Sequence, residues 1–275
     1  MRALLSSVNT AVMTSSSDKL AFDSLRSALA QHPFVTEIVY QLRLGSTNDL
    51  AKERASEGAP EGLLVIADEQ LAGRGRRGRN WWAPAGSALL TSLLFRPLLS
   101  PAQAQQLTML CALAAADAVT ETTALTVDLK WPNDLIVNGR KLAGLLTESA
   151  VKVDRLDFAV VGLGMNVNAD FANAPSFIVP ATSLRLELGR AVDRLELLVA
   201  YLNDVARRYA RLKGGESPRG EWASRLITLG QPVTAHLGEE TLSGLAQGVD
   251  ADGALLLRTA DGTVYRLLAA DVSLR

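Results

Sequence analysis

Seven consecutive positions, Gly73-Arg74-Gly75-Arg76-Arg77-Gly78-Arg79, carry four guanidinium groups and three glycines. Arginines supply planar donor forks for carboxylate or phosphate, and glycines let a backbone approach a ligand and take positive φ. The composition describes an anion cradle. A nucleic-acid arm would use the same residues, and a solvated charged loop is the plain alternative. The formal net charge of -1 argues against a global field for nucleic acid. Trp81-Trp82, Pro84 and Gly86 follow directly and tie the segment to an ordered strand, which favours a small anionic ligand. The spacing matches GxGxxG, but the run does not open a helix, no acidic residue stands at the ribose offset, and no GxxxxGK[ST] run exists.

Two further segments carry polar chemistry. Lys130-Trp131-Pro132-Asn133-Asp134 ends a strand candidate, with Pro132 stiffening the loop and Trp131 offering an apolar wall. Lys130 and Lys141 can each present a point charge to phosphate or to a developing negative charge. Lys141 also reads as an exposed hairpin lysine, and Asn133 and Asp134 as plain turn formers. Gly162-Leu163-Gly164-Met165-Asn166 ends an apolar strand; its glycines allow a flat or anionic group to come close, or simply pack against a helix. Asn166 offers donors and an acceptor to an adenine edge or ribose. The two histidines, His32 and His236, keep no ligand-like company, and the single cysteine, Cys111, excludes a multi-cysteine metal site. Arginines, lysines and strand-end glycines without a histidine base fit chemistry driven by positioning and charge neutralisation. Adenylation of a carboxylic acid is such a reaction, because the acid is its own nucleophile.

Strands are expected over residues 38–42, 63–67, 88–95, 127–130, 135–137, 142–147 and 158–163, with Asn138-Gly139 as a two-residue hairpin turn. Residues 46–49 read as a helix start, Ser46 capping the amides and Asp49 supplying the reciprocal carboxylate of a capping box. A long helix follows Pro101, with Leu107, Leu110, Cys111, Ala114, Ala115, Ala118 and Val119 on one stripe, so Cys111 is a core thiol. Residues 195–212 form a second amphipathic helix. Residues 1–17 read as a loose tail and the following stretch to Pro33 as one helix. From about residue 230, four or five short alternating strands suggest a small barrel leaning on the larger domain.

The chain has 275 residues, 48% of them apolar and 21% charged, and reads as globular. No run approaches the roughly 18 apolar residues of a membrane span, so a cytoplasmic protein without membrane association is expected.

These motifs together resemble biotin protein ligases. The resemblance rests on Gly45-Ser46-Thr47-Asn48, on residues 68–81 ending in Asn80-Trp81, on Lys130-Trp131-Pro132-Asn133-Asp134-Leu135, on Arg140-Lys141-Leu142-Ala143-Gly144, on residues 162–166 and on Asp271-Val272-Ser273-Leu274-Arg275. It implies an α/β (α+β) fold: a mixed-sheet catalytic domain related to class II aminoacyl-tRNA synthetases over residues 37–229, then an SH3-like β-barrel over 230–275. It implies biotin and ATP as substrates, with magnesium held by a carboxylate the sequence does not assign. Ser46, Thr47, Asn48, Gln70, Gly73, Arg74, Lys141 and Gly144 would bind biotin. Arg74, Arg76, Arg77, Trp81, Lys141, Asn166 and Arg275 would bind ATP or the adenylate, and Lys141, Arg74 and Arg76 would be catalytic. The expected partner is the biotin carboxyl carrier domain of acetyl-CoA carboxylase or a related carboxylase, and the expected assembly a monomer or homodimer. Residues 1–36 offer one convincing helix, so operator DNA binding is not expected. A lipoate ligase or octanoyl transferase is the nearest enzymatic alternative.

Overall fold

The computed structural model describes residues 20–172, 174, 180–238, 240–268 and 270–274. The tail expected over residues 1–17 lies outside them. The chain enters through α1 (Phe22–Ala28), then β1 (Glu37–Leu44), α2 (Thr47–Ser56) and β2 (Leu63–Gln70). β1 and β2 pair in parallel, as a strand-helix-strand crossover requires. β3 (Ala88–Phe95) returns antiparallel to β2, and a 3-10 turn at Pro101–Ala104 leads into α3 (Gln105–Thr123). β4 (Asp128–Lys130), β5 (Asp134–Val137), β6 (Arg140–Lys152) and β7 (Arg155–Asn166) follow, then α4 (Leu184–Leu188), α5 (Arg194–Lys213) and α6 (Arg219–Ser224). The seven strands form one mixed sheet in the order β1-β2-β3-β7-β6-β5-β4.

Side-chain alternation decides what covers each face. In β2, Leu64 and Ile66 join the large core beneath α3 and α5, while Leu63 and Val65 pack with Ala51 and Ala55 of α2 on the other face. The β5–β6 hairpin turns at Asn138 and Gly139, with φ of 49° and 73°, the left-handed pair that a two-residue turn demands. α3 exceeds the stripe expected of it: Met109, Ala112, Leu113 and Ala116 are buried as well as the predicted positions. It is covered by the sheet on one side and by α5 and α6 on the other. Cys111 lies in this core, where burial pushes its thiol up to about 12.

The expected capping box at the start of α2 does not form. Ser46 has the extended backbone of an N-cap but makes no side-chain cap bond. Gln70, at the end of β2, accepts from the Thr47 amide at 2.7 Å instead. Asp49 is drawn away from the helix end by Arg74 and Lys52.

The C-terminal strands correct a second expectation. β8 (Pro232–Leu237), β9 (Glu240–Val249), β10 (Leu255–Arg258), β11 (Val264–Leu267) and β12 (Asp271–Leu274) form an antiparallel sheet in the order β11-β10-β9-β8-β12. β11 and β12 are its two edges, so the sheet stays open and the SH3-like barrel is absent. Closure would serve to bury an interior of its own. Here Val233, Ala235, Ala246, Leu255, Leu257 and Val272 join the same core as α3 and α5, so the larger domain covers the apolar face. Trp131, only 2% exposed, fastens the two parts by donating from Nε1 to the Gly253 carbonyl at 2.9 Å. Among the described residues no helix is long and apolar enough to cross a membrane.

Candidate active site

A cavity of about 350 Å³ opens between the main sheet and the C-terminal sheet, within the size range of ligand pockets. Its wall brings together the predicted residues Ser46, Thr47, Asn48, Gln70, Arg74, Arg76, Trp81, Lys141 and Gly144 with the candidate Lys130, adds Asp271, and does not include Gly73 or Arg77.

One end is neutral and finely hydrogen-bonded. Thr47 and Asn48 occupy the first turn of α2, and both are buried. Gln70 Oε1 accepts from the Thr47 amide and hydroxyl, at 2.7 and 3.0 Å. The Ser92 hydroxyl, on the α2 face of β3, lies 2.8 Å from Thr47 Oγ1 and 2.6 Å from Asn48 Oδ1. Such fixed amide and hydroxyl groups suit an uncharged polar ring system.

The other end is cationic. Lys141, at the start of β6, is half-buried; its Nζ sits 2.7 Å from Asp134 Oδ1 and 5.8 Å from the Trp81 ring centroid. Arg74 Nη2 binds Asp49 and, at 3.0 Å, Glu148. Arg76 donates to Asn133 Oδ1 at 3.3 Å. Burial pulls the Arg76 guanidinium down from its ordinary value, opposed by Asp271 and Asp134 and assisted by Arg77 and Arg79. Burial likewise lowers Lys130, with Asp134 opposing and Lys141 assisting. The Lys130 backbone pairs with Asp134 across β4 and β5, while among the described residues its ammonium makes no ion pair or hydrogen bond. An incoming polyanion would relieve this crowding of cations.

The arginine segment is not a free arm. It is a short turned loop, closed by the Arg74–Asn80 bridge and by the Trp81 amide donating to the Gly73 carbonyl at 2.8 Å. Arg77 takes φ of 55° inside the 3-10 turn Arg76–Gly78. It donates to the His236 carbonyl at 2.8 Å and pairs with Asp271, and Arg79 pairs with Asp271 too. The C-terminal sheet therefore holds the outer side of the loop. A Cβ on Gly73 would sit 2.7 Å from the Trp81 carbonyl oxygen, which accounts for glycine there.

The strand-end glycines serve side chains. A Cβ on Gly164 would lie 2.6 Å from Cε2 of Trp81, and one on Gly162 would lie 2.2 Å from Asn48 Oδ1. The flat group that Gly164 admits is the protein's own indole. Asn166 is buried at the end of β7 and its Nδ2 donates to the Thr182 carbonyl at 3.1 Å. It does not line the cavity. Arg275 lies outside the described residues.

Three participants escaped the sequence reading: Glu148, Asp271 and Ser92. Glu148 and Ser92 sit in strands with no motif around them. Asp271 belongs to the terminal run Asp271-Val272-Ser273-Leu274-Arg275, of which only Arg275 is expected at the nucleotide.

Comparison with known proteins agrees with this geometry. Residues 40–166 match the Biotin/lipoate A/B protein ligase family, and residues 228–275 match the Biotin protein ligase C terminal domain. The biotin--[acetyl-CoA-carboxylase] ligase of Paracoccus denitrificans is 38% identical over 226 residues, covering 80% of this chain and 93% of that protein. The bifunctional ligase/repressor BirA of Bacillus subtilis (strain 168) is 35% identical over 259 residues, covering 93% of this chain and 79% of that protein. The solved biotin protein ligase from Aquifex aeolicus in complex with biotin and ATP superposes with a TM-score of 0.71 at 29% identity, over 87% of this chain and 99% of that one. By these matches the chain belongs to the biotin/lipoate A/B protein ligase family.

Proposed function

We propose that this chain is an ATP-dependent biotin protein ligase, working in two steps. The biotin carboxylate attacks the α-phosphorus of ATP, releasing pyrophosphate and leaving biotinyl-5'-AMP. The ε-amine of a lysine on a biotin carboxyl carrier domain then attacks the acyl carbon, forming the amide and releasing AMP. The observation that carries this reading is one cavity whose neutral end, at Thr47 and Gln70, adjoins a cationic end at Lys141, Arg74, Arg76 and Lys130.

Each end has its task. Ser46, Thr47, Asn48, Gln70, Gly73 and Gly144 surround the ring system of biotin. Lys141 faces the carboxylate and the α-phosphate, where it offsets the charge that two anions bring together as the new bond forms. Arg74 and Arg76 extend the positive field over the phosphates, with Arg77 holding the outer side of the loop. Trp81 offers its face to adenine, and Asn166 and Arg275 are assigned to the nucleotide by family resemblance. The arginine loop shields the mixed anhydride from water until the carrier lysine arrives.

Magnesium enters with ATP in this proposal. Among the described residues no three acidic, histidine or cysteine side chains gather. A hard cation held by phosphates and water with one or two carboxylates fits a wall that offers Asp134 and Asp271. It would neutralise the leaving pyrophosphate.

Residues 37–229 are proposed as the catalytic unit, with 230–275 closing one wall, in a cytoplasmic protein that is a monomer or homodimer. Exchange of labelled pyrophosphate into ATP tests the reading. It should depend on biotin and not on lipoate; exchange with lipoate alone, or none with either acid, would overturn it.

A further inference from the structure

We propose that Glu148 is a positioning residue for adenylation, holding Arg74 in register with the helix start that binds the acid; this rests on the ligase reading above. Glu148 lies on β6, seven positions beyond Lys141. Its carboxylate gathers three donors from outside its own strand: Arg74 Nη2 at 3.0 Å, Lys52 Nζ at 2.6 Å and Asn48 Nδ2 at 2.9 Å. All three are charge-assisted, the stronger class of hydrogen bond, and those from Arg74 and Lys52 carry charge on both partners.

Asn48 makes this carboxylate a fixed point. It is only 3% exposed, and its Nδ2 also donates to the Leu146 carbonyl at 3.1 Å. Its Oδ1 occupies the space that a Cβ on Gly162 would fill. Asp49, the second partner of Arg74, is different: its side chain is 54% exposed, against 23% for Glu148. Glu148 is the more buried anchor of Arg74, and Asp49 the more exposed clamp.

Polar contacts continue towards the neutral end. From Glu148 they pass to Asn48, to the Ser92 hydroxyl, to the Thr47 hydroxyl and to Gln70 Oε1, the single Ser92 hydrogen serving either Asn48 Oδ1 or Thr47 Oγ1 at one time. Groups proposed to touch the biotin rings and the arginine proposed to face phosphate therefore share one polar chain. Both carboxylates engage Arg74 through Nη2, which leaves its Nε and Nη1 donors for a ligand. A misplaced phosphate donor costs rate through orientation, even where the charge itself is retained.

The test is a double-mutant cycle on the full chain, read by biotin-dependent ATP–pyrophosphate exchange. Glu148→Gln keeps the shape and removes the charge; it should lower kcat/KM for ATP by about tenfold or more, a loss of transition-state stabilisation. Arg74→Ala should lower it at least as much, and the double variant should be no worse than Arg74→Ala. Losses that multiply would overturn the proposal, since Glu148 would then act independently of Arg74. A second readout needs no activity: tryptic cleavage after Arg74 in the unliganded protein, mapped by mass. Glu148→Gln should speed it several-fold while Lys52→Met leaves it unchanged, and a wild-type cleavage rate in Glu148→Gln would overturn the anchoring. Absence of exchange in the wild type would instead defeat the ligase reading, with the cleavage result still deciding whether Glu148 holds Arg74.

Discussion

The ammonium of Lys141 lies 2.7 Å from Oδ1 of Asp134, the residue that pairs across the hairpin with Gly144. The contact holds the lysine along the cavity wall, and its Nζ and Cε lie 3.2 and 3.3 Å from where a Cβ on Gly144 would stand. Lys141→Ala should therefore reduce adenylation by about 10²–10³-fold, the range for losing a charge made for the transition state. Pyrophosphate exchange near the wild-type rate would remove Lys141 from the mechanism.

Arg76 sits in the loop rather than at the acid-binding end, so its loss should act on retention. Arg76→Gly should still form the adenylate but let it escape. Mass mapping of an unrelated protein added to the reaction should then find biotin on its lysines; clean bystanders would contradict this.

Asp271 joins the C-terminal sheet to the loop through Arg77 and Arg79. Asp271→Asn should release that side, so trypsin should cut after Arg77 and Arg79 several-fold faster while the thermal midpoint shifts little, as exposed ion pairs contribute under about 1 kcal/mol each. Unchanged cleavage would mean that backbone contacts alone hold the loop.

Gly164→Ala should push Trp81 out of place, because the new methyl would stand 2.6 Å from its ring. Overpacking of this kind costs about 1–3 kcal/mol. The KM for ATP should rise more than that for biotin, accompanied by a change in tryptophan emission; an equal rise in both would argue that Trp81 does not face the nucleotide.

Acid should loosen the junction of α3, α5 and α6. Burial would raise Asp117, but Arg225 and Arg208 outweigh it and hold it below its usual 3.8; Arg208 chiefly holds Glu221 below 4.5. Depressed carboxylates stabilise the fold above their unfolded values and lose that contribution as pH falls through the folded ones. Thermal midpoints should therefore drop as pH falls below about 4.5, and Asp117→Asn should flatten the drop.

Cys111 supplies a control on the core. With burial pushing its thiol up to about 12, it should resist alkylation in the native protein at pH 8 and react once denatured.

Much of this was legible in the linear chain. Short apolar runs marked the strands of the main sheet, Asn138-Gly139 marked a hairpin, and the interleaved arginines and glycines marked a turned cationic loop. Those features are local: each depends on neighbours within a turn or a strand, which the sequence displays directly. The partners that make the loop a site are not local. Arg74 meets Glu148 and Arg79 meets Asp271 across 74 and 192 positions, and no periodicity reports such pairings. The glycines of 162–164 show the same limit, since the absence of a side chain says that something comes close and not whether it is a ligand or Trp81. The C-terminal strands show it once more. Alternation announced one apolar face, but only the packed molecule decided whether that face would close on itself or lie against α3 and α5, because burial energy is indifferent to which surface supplies the cover.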